Sequence, residues 1–464
     1  MDFEQLLKKS EEILQCIEDG YFVGGCVRDT LIGKKEIKDI DIIVPNLSEK
    51  RIECLRKKSK KSGFLYKKKK PVFTIKKNRL KIDMTPVQGT IEEDLKKRDF
   101  TINAVAIVIK SLKDKQPIII DPLNGIEDIR NRILKPINEN SIKEDPIRIL
   151  RGIRLKSENS LNYHPLFLNF TEKYGKTIKK EPMERIREEL IKILNLKNPY
   201  IPFFEMRKLK ILYEIFPHLK KQEEIPPSGV HEYTLIIHSL KTVENIIKTL
   251  NKPNKRIECI VKEIKKKNYF ENFTGRELLI LTALLHDIGK PETAKEKDGK
   301  LSFFNHDNIG ERIVKKILPN LGFGKKITED SAKIIRLHLR PIFLYQLRRE
   351  RNLSGKAIGK FILDSDNIFP FVIVHSIADL TATSDHMEKT VGKFTEFIAE
   401  ELLPVYKKFL NLKPLLTGKD IIEIKGTKPG KDVGKIKRKL TEKQLSGTVK
   451  TVEDAVKFVK GYSI

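Results

Sequence analysis

The sequence predicts an α+β protein, with a mixed sheet and helices in the N-terminal part and helices alone in the rest of the chain. Up to about residue 135, short apolar and β-branched runs alternate with helical patterns. Beyond it the pattern is helical and is interrupted at Pro165, Pro182 and Pro202. The predicted strands are Tyr21–Val23, Ile37–Val44, Pro71–Lys76, Arg79–Met84 and Ile118–Ile120.

The length of 464 residues allows two to four domains. The strongest interruption of helical pattern is Pro226-Pro227-Ser228-Gly229, which we take as a domain boundary. The predicted organisation is a head at residues 1–135, a helical neck at 136–228, a second helical domain at 229–406 and a helical tail at 407–464.

Composition favours a cytoplasmic protein without membrane segments. Charged residues are 33% and hydrophobic residues 39%, and no apolar run approaches the roughly 20 residues that span a bilayer. The N-terminal Met-Asp-Phe-Glu-Gln lacks a signal-peptide core. The four cysteines, Cys16, Cys26, Cys54 and Cys259, are scattered and predict neither a zinc knuckle nor a disulfide framework.

A strong positive charge predicts an RNA partner. Lys and Arg number 92 and Asp and Glu 63, so the net charge is 92 − 63 = +29. Such an excess favours polyanions through counterion release. Basic runs lie at Lys67 to Lys70 and from Lys425 to Lys443. Compositional drift from AT-rich coding is the alternative source of the many lysines.

Asp39 and Asp41 are the first candidate metal ligands. On a strand, residues two apart point to the same face, while Ile40 and Ile42 point to the other. Two such carboxylates can hold Mg²⁺ against phosphates. Surface strands also carry such acids without any ligand.

A phosphate-binding turn is predicted just upstream of these acids. The strand at Tyr21–Val23 leads into Gly24-Gly25, and the following residues form a helical pattern. A helix N-terminus offers free N–H groups to phosphate, glycines allow close approach, and Arg28 adds a charged fork. Together with the acid pair, this turn predicts phosphoryl or nucleotidyl transfer.

Gly24-Gly25-x-x-Arg28-Asp29 followed by Asp39-x-Asp41 resembles motif A of the class II tRNA nucleotidyltransferases, which build the CCA end of tRNA, and bacterial poly(A) polymerases share this motif. The resemblance implies catalysis by Asp39 and Asp41 with Mg²⁺. It also implies that Asp83, on the strand Leu80-Lys81-Ile82-Asp83-Met84, can be a third catalytic acid. A solvated strand face is the alternative for Asp83.

Residues 97–104, Lys-Arg-Asp-Phe-Thr-Ile-Asn-Ala, resemble motif B of this family, with Lys97 in place of its first Arg. If the segment is helical, Asp99 and Asn103 share one face. The resemblance implies that Arg98, Asp99 and Asn103 contact the nucleotide and its ribose. The later Asp121-Pro122-x-x-Gly125-x-x-Asp128 matches a motif that we expect to be structural.

Residues 144–148, Glu-Asp-Pro-Ile-Arg, resemble the family's amino-acid template. A carboxylate accepts from the amine of C or A and a guanidinium donates to the ring, so Asp145 and Arg148 would select C and A. Arg151, one turn further, belongs to the same predicted nucleotide site. The alternative or additional role is helix capping, with Ser141-x-x-Glu144 as a capping box and Pro146 in the first turn.

A second group of residues resembles the metal site of HD phosphohydrolases. The resemblance implies metal binding by His238, His286, Asp287 and Asp379, and His306 and His338 can complete a second metal position. Imidazole and carboxylate suit several divalent transition metals, and the sequence does not choose among them. The metal can serve hydrolysis or only stabilise helices. His164, His218, His375 and His386 have no assigned role.

The resemblance implies a tRNA nucleotidyltransferase that uses CTP and ATP, with tRNA and not DNA as partner. One alternative is a poly(A) polymerase, but a Gly-Arg-Arg-Phe-like element is replaced here by Lys-Lys-Lys-Lys-Pro-Val-Phe-Thr. The other is an HD phosphohydrolase with a nucleotide-binding head. The Gly pair, the acids and the template set argue against an inactive head.

The segment between Asp83 and Arg98 bears on how far addition proceeds. Family members that make full CCA carry a flexible loop there, and this chain has a shortened link. The resemblance therefore implies a choice between CC-only addition, which would need a separate A-adding enzyme as partner, and complete CCA addition with a substitute for the loop.

Overall fold

The computed structural model describes residues 3–17, 19–59, 63–67, 72–77, 80–227, 232–297 and 300–462. The chain forms two compact units: unit 1 comprises Met1–Glu181 and Lys208–Glu214, and unit 2 comprises Pro182–Arg207 and Ile215–Ile464. The α+β class is confirmed, with the sheet in unit 1 and helices dominating unit 2. The units divide inside the predicted neck, and the four domain ranges stay predictions, since residues 228–231 lie outside the described part.

The centre of unit 1 is a seven-stranded sheet with the order β3-β4-β5-β2-β1-β6-β7. Only β2 and β5 are parallel, and the other pairs are antiparallel. The strands are β1 (Tyr21–Val23), β2 (Asp39–Val44), β3 (Gly63–Lys67), β4 (Val72–Lys77), β5 (Leu80–Pro86), β6 (Ala106–Val108) and β7 (Ile119–Ile120). A separate parallel pair joins β8 (Ile133–Leu134) to β9 (Asn162–Tyr163).

All five predicted strands correspond to observed strands. The bounds of Tyr21–Val23 agree, the other four have shifted ends, and the predicted starts Pro71 and Arg79 lie outside the described residues. β3 and β6 were not predicted. β6 lies in the apolar run Ala104 to Ile109, in which every residue but Val108 is buried. Such a short run lacks the alternation that identifies a half-buried strand.

The helices of unit 1 cover the sheet and extend beyond it. They are α1 (Glu4–Leu14), α2 (Gly25–Ile32), α3 (Glu49–Lys58), α4 (Ile91–Lys96), α5 (Ile109–Lys113), α6 (Gly125–Arg130), α7 (Glu139–Lys143), α8 (Ile147–Asn159) and α9 (Pro165–Tyr174). A core that includes Phe22, Ile40, Ile42, Phe73 and Met84 packs the sheet against the first helices. Because β2 buries Ile40 and Ile42, its two aspartates lie on the opposite face.

A disulfide joins Cys16 and Cys54, whose Cα atoms are 5.8 Å apart. The expectation that these cysteines form no disulfide was therefore wrong. The two residues are 38 positions apart, and only the packing of α1 against α3 brings them together. Cys26 and Cys259 are free thiols.

The remaining helices follow α9 in chain order. They are α10 (Met183–Leu194), α11 (Tyr200–Lys208), α12 (Ile211–Ile215), α13 (Leu235–Asn251), α14 (Glu258–Lys266), α15 (Gly275–Leu285), α16 (Lys290–Thr293), α17 (His306–Asn320), α18 (Lys325–Leu337), α19 (Arg340–Arg349), α20 (Gly355–Ser365), α21 (Phe369–Ala382), α22 (Glu388–Phe397), α23 (Leu403–Leu410), α24 (Gly418–Lys425), α25 (Lys431–Leu445) and α26 (Val452–Gly461). Two short hairpins accompany them: β10 (Asn268–Phe270) with β11 (Phe273–Thr274), and β12 (Lys295–Lys297) with β13 (Lys300–Ser302).

The core of unit 2 is formed by α13, α15, α18 and α21, and α15 and α21 are buried almost throughout. The continuous helical stretch Gly355–Ala382 is, by length and composition alone, able to cross a membrane, but 78% of its most apolar window is buried inside the protein. A buried core helix of a soluble protein can have the same length and composition, so this is weak evidence for a membrane span. The last three helices share a small apolar cluster around Ile421, Ile436 and Val459.

Gly152 on α8 fixes the distance of that helix from its neighbours. A Cβ atom at this position would lie 2.4 Å from Phe167 Cε2 and 2.9 Å from Phe100 Cζ. We therefore expect Gly152→Ala to destabilise unit 1 by about 1–3 kcal/mol through overpacking. Urea unfolding, with hydrogen exchange in peptides covering α8, measures the effect.

Gly434→Ala is the matched control, because Gly434 also lies within a helix and a Cβ there meets nothing within 4 Å. This change should stabilise α25 by roughly 0.5–1 kcal/mol. Equal stability of both variants would contradict the packing role of Gly152.

Candidate functional sites

Three aspartates share one face of the sheet in unit 1. β2 and β5 run parallel in a register that places Asp41 beside Asp83 and Asp39 beside Lys81. Asp39 is exposed, whereas Asp41 and Asp83 are partly buried. Since paired residues of neighbouring strands point to the same face, the three carboxylates that the sequence predicted as catalytic lie together.

Positive charges surround this acidic face. A Cβ atom on Gly24 would lie 2.8 Å from Arg98 Nη1 and 3.0 Å from Asp41 Oδ2, so both groups border the glycine. Asp83 accepts a hydrogen bond from Thr74 Oγ1 at 2.7 Å and forms an ion pair with Lys81. Burial raises the pKa of Asp41, Arg98 opposes this effect and Asp83 adds to it. A carboxylate whose anion is disfavoured in this way is one that a bound cation would stabilise.

The turn at Gly24 starts α2 and leaves the first N–H groups of that helix next to the acids. Gly24 has φ 72° and ψ −136°, a conformation that side-chain-bearing residues rarely adopt. Val23 pairs with Asp41 in the sheet, so the helix N-terminus lies at the same edge as the carboxylates. This arrangement fits the predicted phosphate position.

Motif B forms only a short 3₁₀ helix, Thr101–Asn103, so the condition of a helical segment from Asp99 to Asn103 is not met. The contact expected from that helix is nevertheless present, because Asn103 Nδ2 donates to Asp99 Oδ1 at 2.9 Å. The backbone N–H of Phe100 also donates to Asp99 at 2.8 Å. This local bond competes with a continuous α-helix.

Hydrogen bonds and one ion pair connect motif A, motif B and α8. Arg28 Nη1 donates to Asn103 Oδ1 at 2.7 Å, and Arg28 Nε donates to Asp29 at 2.8 Å. Asp99 Oδ2 pairs with Arg151 Nε at 2.6 Å. Burial raises the pKa of Asp99, but Arg151 and the two donors outweigh it and hold the pKa below the ordinary value. Arg28 therefore supports motif B, besides any contact with phosphate.

The predicted template residues lie where α8 begins. Arg148 donates to the carbonyl oxygens of Arg98 at 3.1 Å and Lys97 at 3.3 Å, and its Nε is 3.4 Å from Asp145 Oδ2. These contacts attach the template pair to motif B and orient both side chains.

The proposed capping box at Ser141 was wrong. Ser141 lies inside α7, whose N-cap is Asn138, and its hydroxyl donates to Asn138 O at 2.7 Å. The N-cap of α8 is Pro146, which supplies no side-chain bond. The spacing of Ser141 and Glu144 does not show whether Ser141 lies in α7 or caps α8. Ser141 therefore does not cap the helix that carries the template pair.

The segment Asp121 to Asp128 is structural, as expected. The carboxylate of Asp121 accepts from the N–H groups of Gly125 and Ile126 at 2.7 and 2.9 Å, and Asp128 accepts from Thr101 Oγ1 at 2.6 Å. A Cβ on Gly125 would lie 2.2 Å from the carbonyl oxygen of Thr101. The segment therefore packs against Thr101 and stabilises motif B.

In unit 2, all six predicted metal ligands converge. The Asp287 carboxylate is the centre: His286, His306, His338 and His238 have Nε2 atoms 3.1, 3.5, 3.9 and 3.7 Å from its oxygens. Asp379 Oδ1 lies 2.8 Å from His238 Nε2 and 3.5 Å from His286 Nε2. Two ligand sets with metal-binding spacing result, His238/His286/Asp379 and His286/Asp287/His338.

The imidazoles are oriented by bonds on their far sides. Nδ1 of His286, His306 and His338 contacts the carbonyl oxygens of Ala283, Phe303 and Ile335 at 2.8, 2.7 and 2.6 Å. Their Nε2 atoms are buried and have no hydrogen-bond partner among the described residues. This is the arrangement of histidine ligands held for a metal, so the residues fit a divalent ion.

Charges inside the cluster are tightly coupled. Burial lowers the pKa of His286, but Asp287 and Asp379 outweigh it and raise the value to about 10. Burial lowers the pKa of His338 to about 4. Lys290 Nζ is 2.7 Å from Asp287 and, like the neighbouring His286, holds the pKa of that carboxyl well below its usual range despite burial. The carboxylates are thus available as anionic ligands.

His375 is a member of this cluster that the sequence analysis missed. Its ring centroid is 5.0 Å from that of His286 and 5.7 Å from that of His338, and neither ring nitrogen has a hydrogen-bond partner among the described residues. It precedes Asp379 by four positions on α21, which places both on one helix face. That spacing was the signal available in the sequence.

A sheet with three acids beside a helix N-terminus, followed by a buried His/Asp cluster, defines a nucleotidyltransferase joined to an HD domain. Three family models match: the poly A polymerase head domain at residues 20–135, the probable RNA and SrmB-binding site of polymerase A at 167–223, and the HD domain at 235–383. The chain belongs to the superfamily of class II tRNA nucleotidyltransferases and poly(A) polymerases, and it is an enzyme of the nucleotidyltransferase type.

Curated relatives align over nearly the whole chain. Identity is 24% with the A-adding tRNA nucleotidyltransferase of Deinococcus radiodurans, over 95% of this chain and 95% of the relative. It is 27% with the CC-adding tRNA nucleotidyltransferase of Thermus thermophilus, over 95% and 93%.

Solved structures share the fold. A CCA-adding enzyme with ATP matches with a TM-score of 0.65 and 20% identity, covering 98% of this chain and 94% of that chain. The Thermotoga maritima CCA-adding enzyme complexed with tRNA matches with a TM-score of 0.60 and 22% identity, covering 99% and 95%.

Metal removal should weaken unit 2. A chelator removes an ion that binds the folded cluster and not the unfolded chain, so we expect the melting temperature to fall and to recover when a divalent transition metal is added back. Differential scanning fluorimetry with metal analysis measures this.

His286→Ala combined with Asp287→Ala should abolish the response to the chelator. His386→Ala, an exposed histidine of the same unit, should retain it. A chelator response that survives loss of His286 and Asp287 would contradict this assignment of the ligands.

Proposed function

We propose that the protein extends the 3′ end of tRNA with CMP from CTP, and that addition stops after CC. The observation that carries the CC-only proposal is the short segment between β5 and α4, where the flexible loop of full CCA-adding members would lie. The tRNA partner is supported by the net charge of +29 and by the solved relatives, which include complexes with tRNA, ATP and CTP.

Asp39, Asp41 and Asp83 form the catalytic group of this proposal and would hold Mg²⁺. When bound, the metal ions would lower the pKa of the 3′-hydroxyl, polarise the α-phosphate and stabilise the leaving pyrophosphate. The chain's own part is to fix the acids in register on β2 and β5 and to hold the triphosphate. The N–H groups at Gly24 and Gly25 with Arg28 and Arg98 provide the phosphate contacts.

Motif B and α8 would position the nucleoside. Asp99 and Asn103, held by Arg151 and Arg28, present a rigid polar edge to the ribose. Asp145 accepts from the exocyclic amine of cytosine, and Arg148 donates to its ring acceptor. U and G carry a carbonyl group in place of that amine, which a carboxylate rejects.

The link between β5 and α4 is four residues, 87–90, and is tightly folded. Gly89 has φ 85°, and Thr90 and Glu93 form a capping box that starts α4 immediately. A segment so short and so firmly bonded cannot extend over the nucleotide. It therefore cannot shift Asp145 and Arg148 into the positions that would select ATP in place of CTP. The relatives are named for both A addition and CC addition, so similarity does not choose between these activities.

The HD cluster would be a metal-dependent phosphohydrolase acting on a phosphomonoester or a 2′,3′-cyclic phosphate. Water attacks phosphorus, one P–O bond to the organic group breaks, and the departing oxygen takes up a proton. A bound metal would supply a water of lowered pKa. Lys290, beside Asp287, offers positive charge to the phosphate. The role is supported by the buried ligand set, in which Nε2 of three histidines lacks a hydrogen-bond partner among the described residues.

Replacing Asp39, Asp41 or Asp83 by Asn should abolish or severely reduce CMP transfer while leaving the fold intact. The reason is that each change removes an anionic ligand from the shared face. Gel assays with labelled CTP and a tRNA lacking its CCA end measure transfer, and circular dichroism checks folding.

Glu36→Gln, an exposed acid just before β2, is the matched control and should leave CMP transfer unchanged. Near-normal transfer by the Asp39 and Asp41 variants would rule this site out.

With both CTP and ATP present, products from a tRNA ending at the discriminator base should end in CC. Sequencing of the 3′ ends gives the answer directly. Efficient formation of CCA ends by the purified protein would defeat the restricted proposal, and ends carrying a single A on a tRNA supplied with CC would identify an A-adding enzyme instead.

Metal-stimulated hydrolysis should be lost in the His286→Ala, Asp287→Ala variant, whereas CMP transfer should be retained because the two sites lie in different units. Release of phosphate or ring opening of a 2′,3′-cyclic nucleotide measures it. The absence of activity with every first-row divalent metal would leave the cluster with a structural role only.

A further inference from the structure

Phe304 is an exposed aromatic residue next to the metal cluster of unit 2. Its relative exposure is 88%, compared with 59% for Phe343 and 56% for Leu410. A single exposed apolar side chain is ordinary. Phe304 differs from other exposed apolar residues because it lies in the turn that carries His306, a candidate metal ligand.

Phe303 and His306, which lie on either side of Phe304 in this turn, are both connected to the cluster. The ring of Phe303 lies 5.4 Å from Lys290 Nζ, and Lys290 in turn is 2.7 Å from Asp287. Two positions after Phe304, His306 bonds to Phe303 O through Nδ1 and has Nε2 3.5 Å from Asp287 Oδ1. Phe304 therefore stands at the rim of the metal site.

The turn holds this ring outward. His306 N donates to Phe303 O at 3.3 Å, and Asn305 has φ 69° and ψ 15°, the conformation of the third residue of a type II turn. Asn308 Nδ2 donates to Asn305 Oδ1 at 2.6 Å and fixes the turn to α17. Phe304 is the second residue of the turn, anchored on both sides. His306, the ligand candidate carried by this turn, is 5% exposed, whereas His286 and Asp287 are fully buried at 0%.

We propose that Phe304 is a stacking platform for the base of a nucleoside phosphate whose phosphate occupies the HD cluster. This proposal rests on the phosphohydrolase function proposed above and narrows its substrate class. A base stacks on an aromatic ring whatever its identity, and Lys290 supplies charge for the phosphate.

The absence of tryptophan from the sequence provides a direct test. Phe304→Trp introduces the only indole of the protein at the proposed platform. Adenosine 3′-phosphorothioate, a slowly hydrolysed nucleoside phosphate, should quench its fluorescence, and glycerol 2-phosphate, which lacks a base, should not. Leu410→Trp, at a comparably exposed apolar position of α23, is the control and should show no quenching. If the indole of the Phe304→Trp variant stays unquenched at saturating nucleotide, the proposal is overturned.

Kinetics give a second readout. Phe304→Leu should raise the KM for a nucleoside 2′,3′-cyclic phosphate about tenfold with little change in kcat, and Phe304→Tyr should restore it, because stacking and not apolarity is what is lost. Hydrolysis of glycerol 2-phosphate should be the same in all three proteins. An unchanged KM in the Leu variant, or an equal loss for both substrates, would contradict a base platform.

A short RNA with a 3′-phosphate distinguishes the source of the nucleoside. If the RNA end quenches the indole of the Phe304→Trp variant at lower concentration than the free nucleotide does, the site is assigned to RNA termini, and the reverse order assigns it to free nucleotides. If no variant hydrolyses any phosphate ester, the proposed phosphohydrolase activity fails. The fluorescence titration then decides independently whether the platform binds a base.

Discussion

The transfer site depends on the parallel pairing of β2 with β5. This single pair is parallel within an otherwise antiparallel sheet, and its register places Asp41 beside Asp83. Burial raises the pKa of Asp41 and the neighbouring Asp83 adds to this effect, while Arg98 and Lys81 partly oppose it. The fold thus maintains an acidic face at a cost in stability that a bound cation would offset. A one-residue slip of β2 would turn the acids into the core.

The second constraint is the chain Arg28–Asn103–Asp99–Arg151. Hydrogen bonds join Arg28 of α2 to Asn103 and Asn103 to Asp99, and an ion pair joins Asp99 to Arg151 of α8. Because Asp99 is buried, each of its partners is needed to compensate its lost hydration. The phosphate turn, the ribose edge and the template helix therefore keep fixed mutual positions, which is what selection of a nucleotide without a nucleic-acid template requires.

The sequence predicted the fold class, five of the strands in the sheet and the six His and Asp residues that converge in unit 2, because strand alternation and dense motifs are local signals. Interactions between distant segments were missed. Cys16 and Cys54 meet only through helix packing, and His375 joins the cluster only when α21 lies beside α15 and α18. Ser141 and motif B were misassigned because short helices and 3₁₀ turns satisfy the same spacing rules as longer helices. Motif spacing shows which residues come together, but it does not show whether they bind a metal, bind a nucleotide or catalyse a reaction.

In both sites the backbone fixes the side chains that could hold a metal, but the donor atoms differ. In unit 1, strand register fixes oxygen ligands, which suit a hard ion such as Mg²⁺. In unit 2, backbone carbonyl groups orient three histidines through Nδ1, so that their Nε2 atoms face a buried carboxylate. Nitrogen and carboxylate donors together suit transition metals. Each site takes its precision from backbone hydrogen bonds and not from flexible side chains. The two clusters therefore differ in the donor atoms that they offer to a divalent ion, oxygen alone in unit 1 and nitrogen with oxygen in unit 2.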